Sequence, residues 1–392
     1  MERDMMLSLT GGRVLLEDGT IRETNVEIEG GLIGAVKDGA ASKRKKGAWN
    51  VRGHLVLPAI VDLHGDAFER QIMPRPGVSF PLELALQETD RQMVSNGIST
   101  AYHGITYSWE PGLRGRDTAV ALLGALDTMR DRLACDTRVH LRWETYNIPG
   151  ADDVVEWMKT GRIDLLAFND HLDMIKKALG NPQKVAKYAD RAGLSTDDFI
   201  NLVDDVVARK TNVAAKKEWL AQMAGKFDIP CASHDDESPE MRAGYHALGV
   251  SICEFPVNED TAGFSINNGD PVVMGAPNVL RGGSHCDRLC ATTAVKLGLC
   301  SVLTSDYYYP SLLQAPFKLA ADGVTDFATA WNMVSSNPAR AAGLEDRGEI
   351  RTGQRADMVV VDDSIPGCPR VVATFVAGQP VHMIDASYRM CA

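Results

Sequence analysis

Six side chains able to hold a cation stand at the ends of short apolar runs spread along the 392-residue chain. His64 and Asp66 close "HLVLPAIVDLHGD", Glu144 closes "VHLRWE", His171 follows "IDLLAFND", His234 closes "IPCASH" and Asp306 closes "CSVLTSD". Imidazole and carboxylate groups are costly to desolvate, so a buried strand that ends in one needs a physical reason. Residues two apart on a strand point the same way, which lets His64 and Asp66 grip one ion from one face. A single histidine at a strand end is ordinarily a hydrogen-bonded residue and H-x-D alone is a weak motif; the signal is the recurrence from run to run. Gathered together without cations, three imidazoles and three carboxylates would repel and desolvate one another. One or two divalent ions would turn them into satisfied ligands. The mixed donor set suits zinc best, and manganese or iron as well.

Elements must bring these residues together. Between about 55 and 345, short apolar runs alternate with helical stretches such as "AVALLGALDTMRDRL", the grammar of parallel strands with helical crossovers. A run of this length suits a (β/α)8 TIM-like barrel, in which all strands point their C-terminal ends at one mouth. The barrel is expected over 57–346, with a helical insertion at about 172–227. The chain's two ends read differently: "LSLTGGRVLLEDGT", "NVEIEGGLIGAV", "ADMVVVDD" and "RVVATFVAGQPVHMI" alternate apolar and polar residues between Gly, Asp and Pro turns. Residues 1–56 and 347–392 are expected to pair into one small discontinuous β-sandwich domain.

The balance of 41 basic against 52 acidic residues, net −11, argues against nucleic acid or an anionic membrane as partner. No stretch is long and apolar enough to span a bilayer, and the start "MERDMMLSLT" has no signal-peptide pattern. Eight scattered cysteines without a C-x-x-C pair read as reduced thiols of a cytoplasmic protein. Cys286 and Cys290 are expected to pack. His54, His140, His246 and His382 are read as structural, and His103, near the tip of the second strand, is left without a role.

With those residues in view, the chain resembles the amidohydrolase superfamily over its whole length. "LPAIVDLHGD" is similar to the first-strand signature, "SSNPARAAGL" to the helix near the barrel's end, and "GEIRTGQRADMVVVD" to the return into the small domain. Within the superfamily it looks like the ribose methylphosphonate triphosphate diphosphatases of the carbon–phosphorus lyase pathway. That likeness rests on "PRP" at 74–76, "ASHDD" at 232–236, "MGAPN" at 274–278, "RGGSH" at 281–285 and "SDYY" at 305–308. It implies that His64 and Asp66 bind the more buried metal and that Glu144 bridges two ions. His171 and His234 would hold the second, and Asp306 would serve as ligand and proton handler.

The implied reaction is hydrolysis of a triphosphate ester with release of pyrophosphate, in phosphonate catabolism. A divalent ion lowers the pKa of water, and Asp306 would take its proton and return one to the leaving oxygen. An acidic protein binding such an anion needs local cations. Arg281 can fork onto phosphate oxygens, while Gly282 and Gly283 would admit the backbone to the phosphate. His285 would contact phosphate or protonate the leaving group. Arg75, Asn278 and Tyr307 are further substrate-binding candidates. The ordinary alternatives are a salt bridge for Arg281, solvent exposure for Arg75 and loop bracing for Tyr307. The competing reaction on the same metal set is hydrolysis of a C–N bond, as in cyclic amide hydrolysis or deamination; a non-catalytic scaffold is disfavoured because all six ligand positions are filled. A phosphorylated small molecule is the expected substrate, and either a homo-oligomer or association with other proteins of that pathway is compatible with the sequence.

Overall fold

The computed structural model describes residues 7–38, 47–75, 77–283 and 288–384. Both ends of the chain build one sheet. From the N-terminal side come β1 (Leu7–Leu15), β2 (Ile21–Glu29), β3 (Leu32–Asp38), β4 (Ala48–Asn50) and β5 (Leu55–Pro58). The barrel follows as β6 (Ile60–Gly65), β7 (Ile98–Tyr107), β8 (Asp136–Glu144), β9 (Leu165–Asn169), β10 (Cys231–His234), β11 (Ile252–Glu254), β12 (Val272–Gly275) and β13 (Val302–Thr304). The chain then returns to the first sheet as β14 (Met358–Asp362), β15 (Arg370–Val376) and β16 (Gln379–Met383).

The terminal sheet runs β16-β15-β14-β5-β1-β2-β3, with β4 beside β1. The antiparallel pairing of β14 with β5 joins the two chain ends, Met358 opposite Pro58 and Val361 opposite Leu55. Alternation puts Leu9, Val26, Ile28, Val56, Val360 and Phe375 into one apolar cluster, where Trp49 meets Phe375 edge-on at 5.3 Å between ring centroids.

The second sheet is parallel throughout, β6 to β13 in chain order. A parallel bridge between Gly65 and Asp306 brings its last strand back to its first. Asp306 N–H donates to the His64 carbonyl and Asp66 N–H to the Asp306 carbonyl, both at 2.9 Å. Inside, Val61, Leu63, Leu165, Ala232, Val273 and Val302 belong to one apolar cluster that fills the barrel below its mouth.

The insertion divides in two. Helices Leu172–Ala178, Pro182–Ala192 and Thr196–Val207 share their own core, with Ile175, Val185, Phe199 and Val203 packed beside Trp109. Asn181 and Ser195 cap the second and third of these, accepting from backbone N–H groups of the first turn. The fourth helix, Lys210–Lys226, instead joins Leu220, Ala221 and Ala224 to the cluster holding Trp143 and Val154. It is the barrel's own crossover helix, so the added layer ends at Val207.

A buried ionic seam ties the sheet domain to the barrel. Arg347 donates to Asp136 Oδ2 at 2.5 Å and to Thr100 Oγ1 at 2.8 Å, and Arg355 donates to the same Asp136 oxygen at 2.9 Å. Trp331 Nε1 donates to the Pro58 carbonyl at 3.0 Å. Among the described residues no helix is long and apolar enough to cross a membrane.

Candidate metal centre

The first strand sets the geometry. Asp62 and His64 lie two apart on β6 and Asp66 follows its end, and the residue between the last two must be small. A Cβ on Gly65 would come within 3.0 Å of Asp62 Oδ2 and Ser305 Oγ and 3.1 Å of the Tyr309 ring. Asp62 is fully buried. It accepts from Thr304 Oγ1 (2.6 Å), Ser305 N–H (3.0 Å) and Ser305 Oγ (2.5 Å). Those bonds fix the last barrel strand against the first and so deliver Asp306 to Asp66.

Ligand-capable atoms of His64, Asp66 and Asp306 all lie within 4.8 Å of one another, as do those of His171, His234 and Asp235. Glu144 adjoins the second group through His171. Its Oε1 lies 2.5 Å from His171 Nδ1, and its Oε2 accepts the His171 backbone N–H at 3.3 Å. The six expected ligands are therefore brought to one mouth.

Four more residues share that mouth. Arg142 precedes Glu144 by two on β8, and its Nη1 reaches Asp66 Oδ2 at 3.4 Å while Nη2 lies 3.4 Å from His234 Nε2. His140, expected from the sequence to be structural, lies two further back and is fully buried. It forms a third group with His64 and Glu254, and its Nδ1 lies 2.9 Å from the Leu63 carbonyl. Glu254 ends β11, with Oε2 3.2 Å from His64 Nδ1. Asp235 joins His171 and His234 and pairs with Arg288 Nη1 at 2.6 Å. The signal for His140 and Arg142 was the two-residue period of "HLRWE", which turns His140, Arg142 and Glu144 to one face. The signal for Glu254 was again a carboxylate ending an apolar run, but that run, "SICE", is only a few residues long.

Among the described residues, three of the five non-glycine residues with positive φ are at this mouth: Asp235 (60°), Phe255 (52°) and Asp306 (54°). Left-handed backbone is costly for a side chain as bulky as Phe, and such strain clusters where a site over-determines the chain.

Burial and charge hold His64, His234 and Glu144 in the protonation state that binds metal. Burial, then the Arg142 charge, pushes the His64 imidazole down to about 3. The same two causes hold His234 well below its usual range. Both are neutral at physiological pH, the form that ligates. Burial tends to raise Glu144, but the adjacent His171 outweighs it and holds the carboxylate low. Burial, then the Asp66 charge, lifts Asp306 up to about 7. A divalent cation fits this donor set. His234 Nδ1 and Glu254 Oε1 are buried without a hydrogen-bond partner among the described residues, and a cation relieves the Asp66–Asp306 repulsion.

The remaining candidates lie further out. Asn278 lines a cavity of about 190 Å³ with His64, His234, Asp235, Phe255 and Asp306. Arg281 is exposed at the C-terminus of helix Ala276–Arg281 and donates to the Tyr307 hydroxyl at 3.2 Å. Tyr307 also carries Arg70 over its ring at 5.6 Å. Gly282 has φ 76° and forms a left-handed cap of that helix, with no described residue near the place of a Cβ. Gly283 likewise has no described residue near that place, and Arg75 sits exposed in a turn bridged to Val78. None of Arg75, Arg281, Gly282 and Gly283 lines the cavity at the metal ligands. His285, with Pro76 and Cys286, lies outside the described residues. His103 is buried against Phe68, ring centroids 5.1 Å apart.

The amidohydrolase family model matches residues 318–382. Over 358 residues, 89% of this chain and 93% of the relative, the chain is 30% identical to the alpha-D-ribose 1-methylphosphonate 5-triphosphate diphosphatase of Escherichia coli (strain K12). The chain belongs to the amidohydrolase superfamily. It is a hydrolase of that superfamily, with the superfamily's barrel and terminal sheet. It is also 26% identical to the adenine deaminase of Brucella abortus (strain 2308), over 95% of this chain and 58% of that protein, so it spans little more than half of the deaminase. Among solved structures, the 5-methylcytosine deaminase from Klebsiella pneumoniae liganded with phosphonocytosine superposes with a TM-score of 0.62. Identity is 12%, over 97% of this chain and 99% of that one, and that likeness concerns the fold.

Proposed function

We propose that this amidohydrolase is a cytoplasmic diphosphatase that cleaves a triphosphate ester of the ribose methylphosphonate type and releases pyrophosphate. The observation that carries the reading is the meeting of His64, Asp66 and Asp306 with His171, His234 and Glu144 at one barrel mouth. The 30% identity to the Escherichia coli diphosphatase across nearly the whole chain supports the choice of substrate.

His64, Asp66 and Asp306 would hold one divalent ion, and His171 and His234 a second, with Glu144 between them; zinc suits these donors best, manganese and iron also. Bound there, such ions supply Lewis acidity and ease the deprotonation of water. Asp306 would accept a proton from the attacking water and return one to the leaving oxygen. Glu254 would orient His64 by accepting from Nδ1–H, leaving the other ring nitrogen free to ligate. Arg142, fixed between Asp66 and His234, offers positive charge to the transferring phosphoryl group. Asn278 faces the substrate from the wall of the 190 Å³ cavity.

Phosphorus NMR of the metal-loaded enzyme with ribose triphosphate esters tests the reading. Pyrophosphate appearing in step with ester loss is expected; intact esters after prolonged incubation would remove it. The adenine deaminase likeness favours C–N hydrolysis as the second reading, and ammonia release from adenine under the same conditions would establish it instead.

A further inference from the structure

The 190 Å³ cavity has a neighbour. Arg142 lines both it and a second, more enclosed space of about 100 Å³. This second chamber is lined by Arg114, Arg142, Arg191, Tyr188, Glu144 and His171 among others. Three arginines thus converge directly behind the metal ligands of a chain whose net charge is −11.

Each outer arginine is held from behind by a carboxylate. Arg191 forks onto Glu110, Nε at 3.1 Å and Nη2 at 2.6 and 2.7 Å; Arg114 forks onto Glu69, Nε at 3.2 Å and Nη2 at 2.9 Å. Both forks use Nε and Nη2, and among the described residues Nη1 of each has no hydrogen-bond partner. A guanidinium clamped on one edge keeps donors in fixed directions for a second anion, with its ordering cost already met by the fold. Two further donors in the chamber wall are buried and have no partner among the described residues, Arg142 Nε and Thr106 Oγ1. Of the three lining carboxylates, Glu110 is paired with Arg191 while Asp66 and Glu144 belong to the proposed metal centre, so bound cations would leave the chamber net positive.

We infer that this chamber is the pyrophosphate subsite: the two terminal phosphoryl groups of the substrate seat among Arg114, Arg142 and Arg191. The sugar then occupies the wider cavity beside Phe255, Met274 and Leu289, and the bond to be cut lies over the metal ligands between the two spaces. Arg191 comes from the added helical layer, which makes that layer the part of the chain that selects polyphosphate. The inference rests on the diphosphatase reading for its choice of anion, though the arginine chamber itself does not.

The test is calorimetric titration of the metal-loaded enzyme with inorganic pyrophosphate, in excess divalent ion, for the native chain and two variants. Arg114→Gln loses one fork. Arg191→Gln with Glu110→Gln loses the other without leaving a buried carboxylate unpaired. Circular dichroism identifies folded variants, and Arg191→Lys, which keeps the charge beside Glu110, serves if the double variant fails to fold. Pyrophosphate affinity should fall about tenfold or more in each, with KM for the triphosphate ester rising more than kcat falls. Native-like affinity in folded variants would overturn the inference, and so would a native enzyme that does not bind pyrophosphate. Arginine-dependent pyrophosphate binding without hydrolysis of any triphosphate ester would uphold the chamber and overturn the diphosphatase reading alone.

Discussion

Asp62 and Ser305, 243 positions apart in sequence, are joined by a 2.5 Å hydrogen bond that locks the last barrel strand to the first. The consequence is local to the site: Asp306, the next residue, can reach Asp66 only because its strand is pinned here. Replacing Asp62 by Ala would strip Ser305 of both acceptors in a fully buried place. We expect a loss of about 3 kcal/mol in urea denaturation, together with weakened metal binding. Asp62→Asn, which keeps one acceptor, should lose less.

Glu254 acts one layer out from the ions. With Oε2 at 3.2 Å from His64 Nδ1, it fixes which imidazole nitrogen faces the cation. Glu254→Gln preserves volume but weakens that orientation, so metal affinity should drop roughly 10- to 100-fold with an unchanged circular dichroism spectrum. Competition against a fluorescent chelator gives the number. An affinity equal to that of the native chain would show that His64 needs no such support.

The seam between the terminal sheet and the barrel carries a pH signature. Burial alone would raise Asp136, but Arg138, Arg347 and Arg355 outweigh it and hold it down to about 2, against 3.8 unperturbed. A carboxylate lowered in the folded state stabilises fully above its unfolded pKa. That contribution is lost as pH falls from about 4 to about 2. Native protein should therefore exceed Asp136→Asn in stability by roughly 2 kcal/mol near neutrality, and the gap should narrow near pH 3. A gap that stays constant through the acid range would mean the seam contributes packing rather than charge.

Much of this architecture is visible in the chain itself, for identifiable reasons. The parallel strands show as apolar runs because both of their faces are buried, and the ligands show because a charged tip on such a run is unusual. The helical insertion was legible as a segment. Its inner boundary was not, because Lys210–Lys226 has the composition of its neighbours and only packing assigns it to the barrel. Arg142 and His140 lie in mid-strand, where an inward charged residue looks like an ordinary alternation. Arg114 and Arg191 are 77 residues apart, in unrelated elements, and nothing but the fold makes them neighbours. Arg281 drew attention through its Gly-Gly sequel, which the helix cap at Gly282 accounts for.

Elemental analysis of the chain purified without chelator bears most directly on the central claim, that imidazoles and carboxylates from the ends of five barrel strands form one metal centre. The account predicts one or two divalent ions per chain, absent from a folded variant carrying Asp66→Ala and His234→Ala. A native chain that remains folded yet takes up no zinc, manganese or iron when each is offered in excess would contradict it.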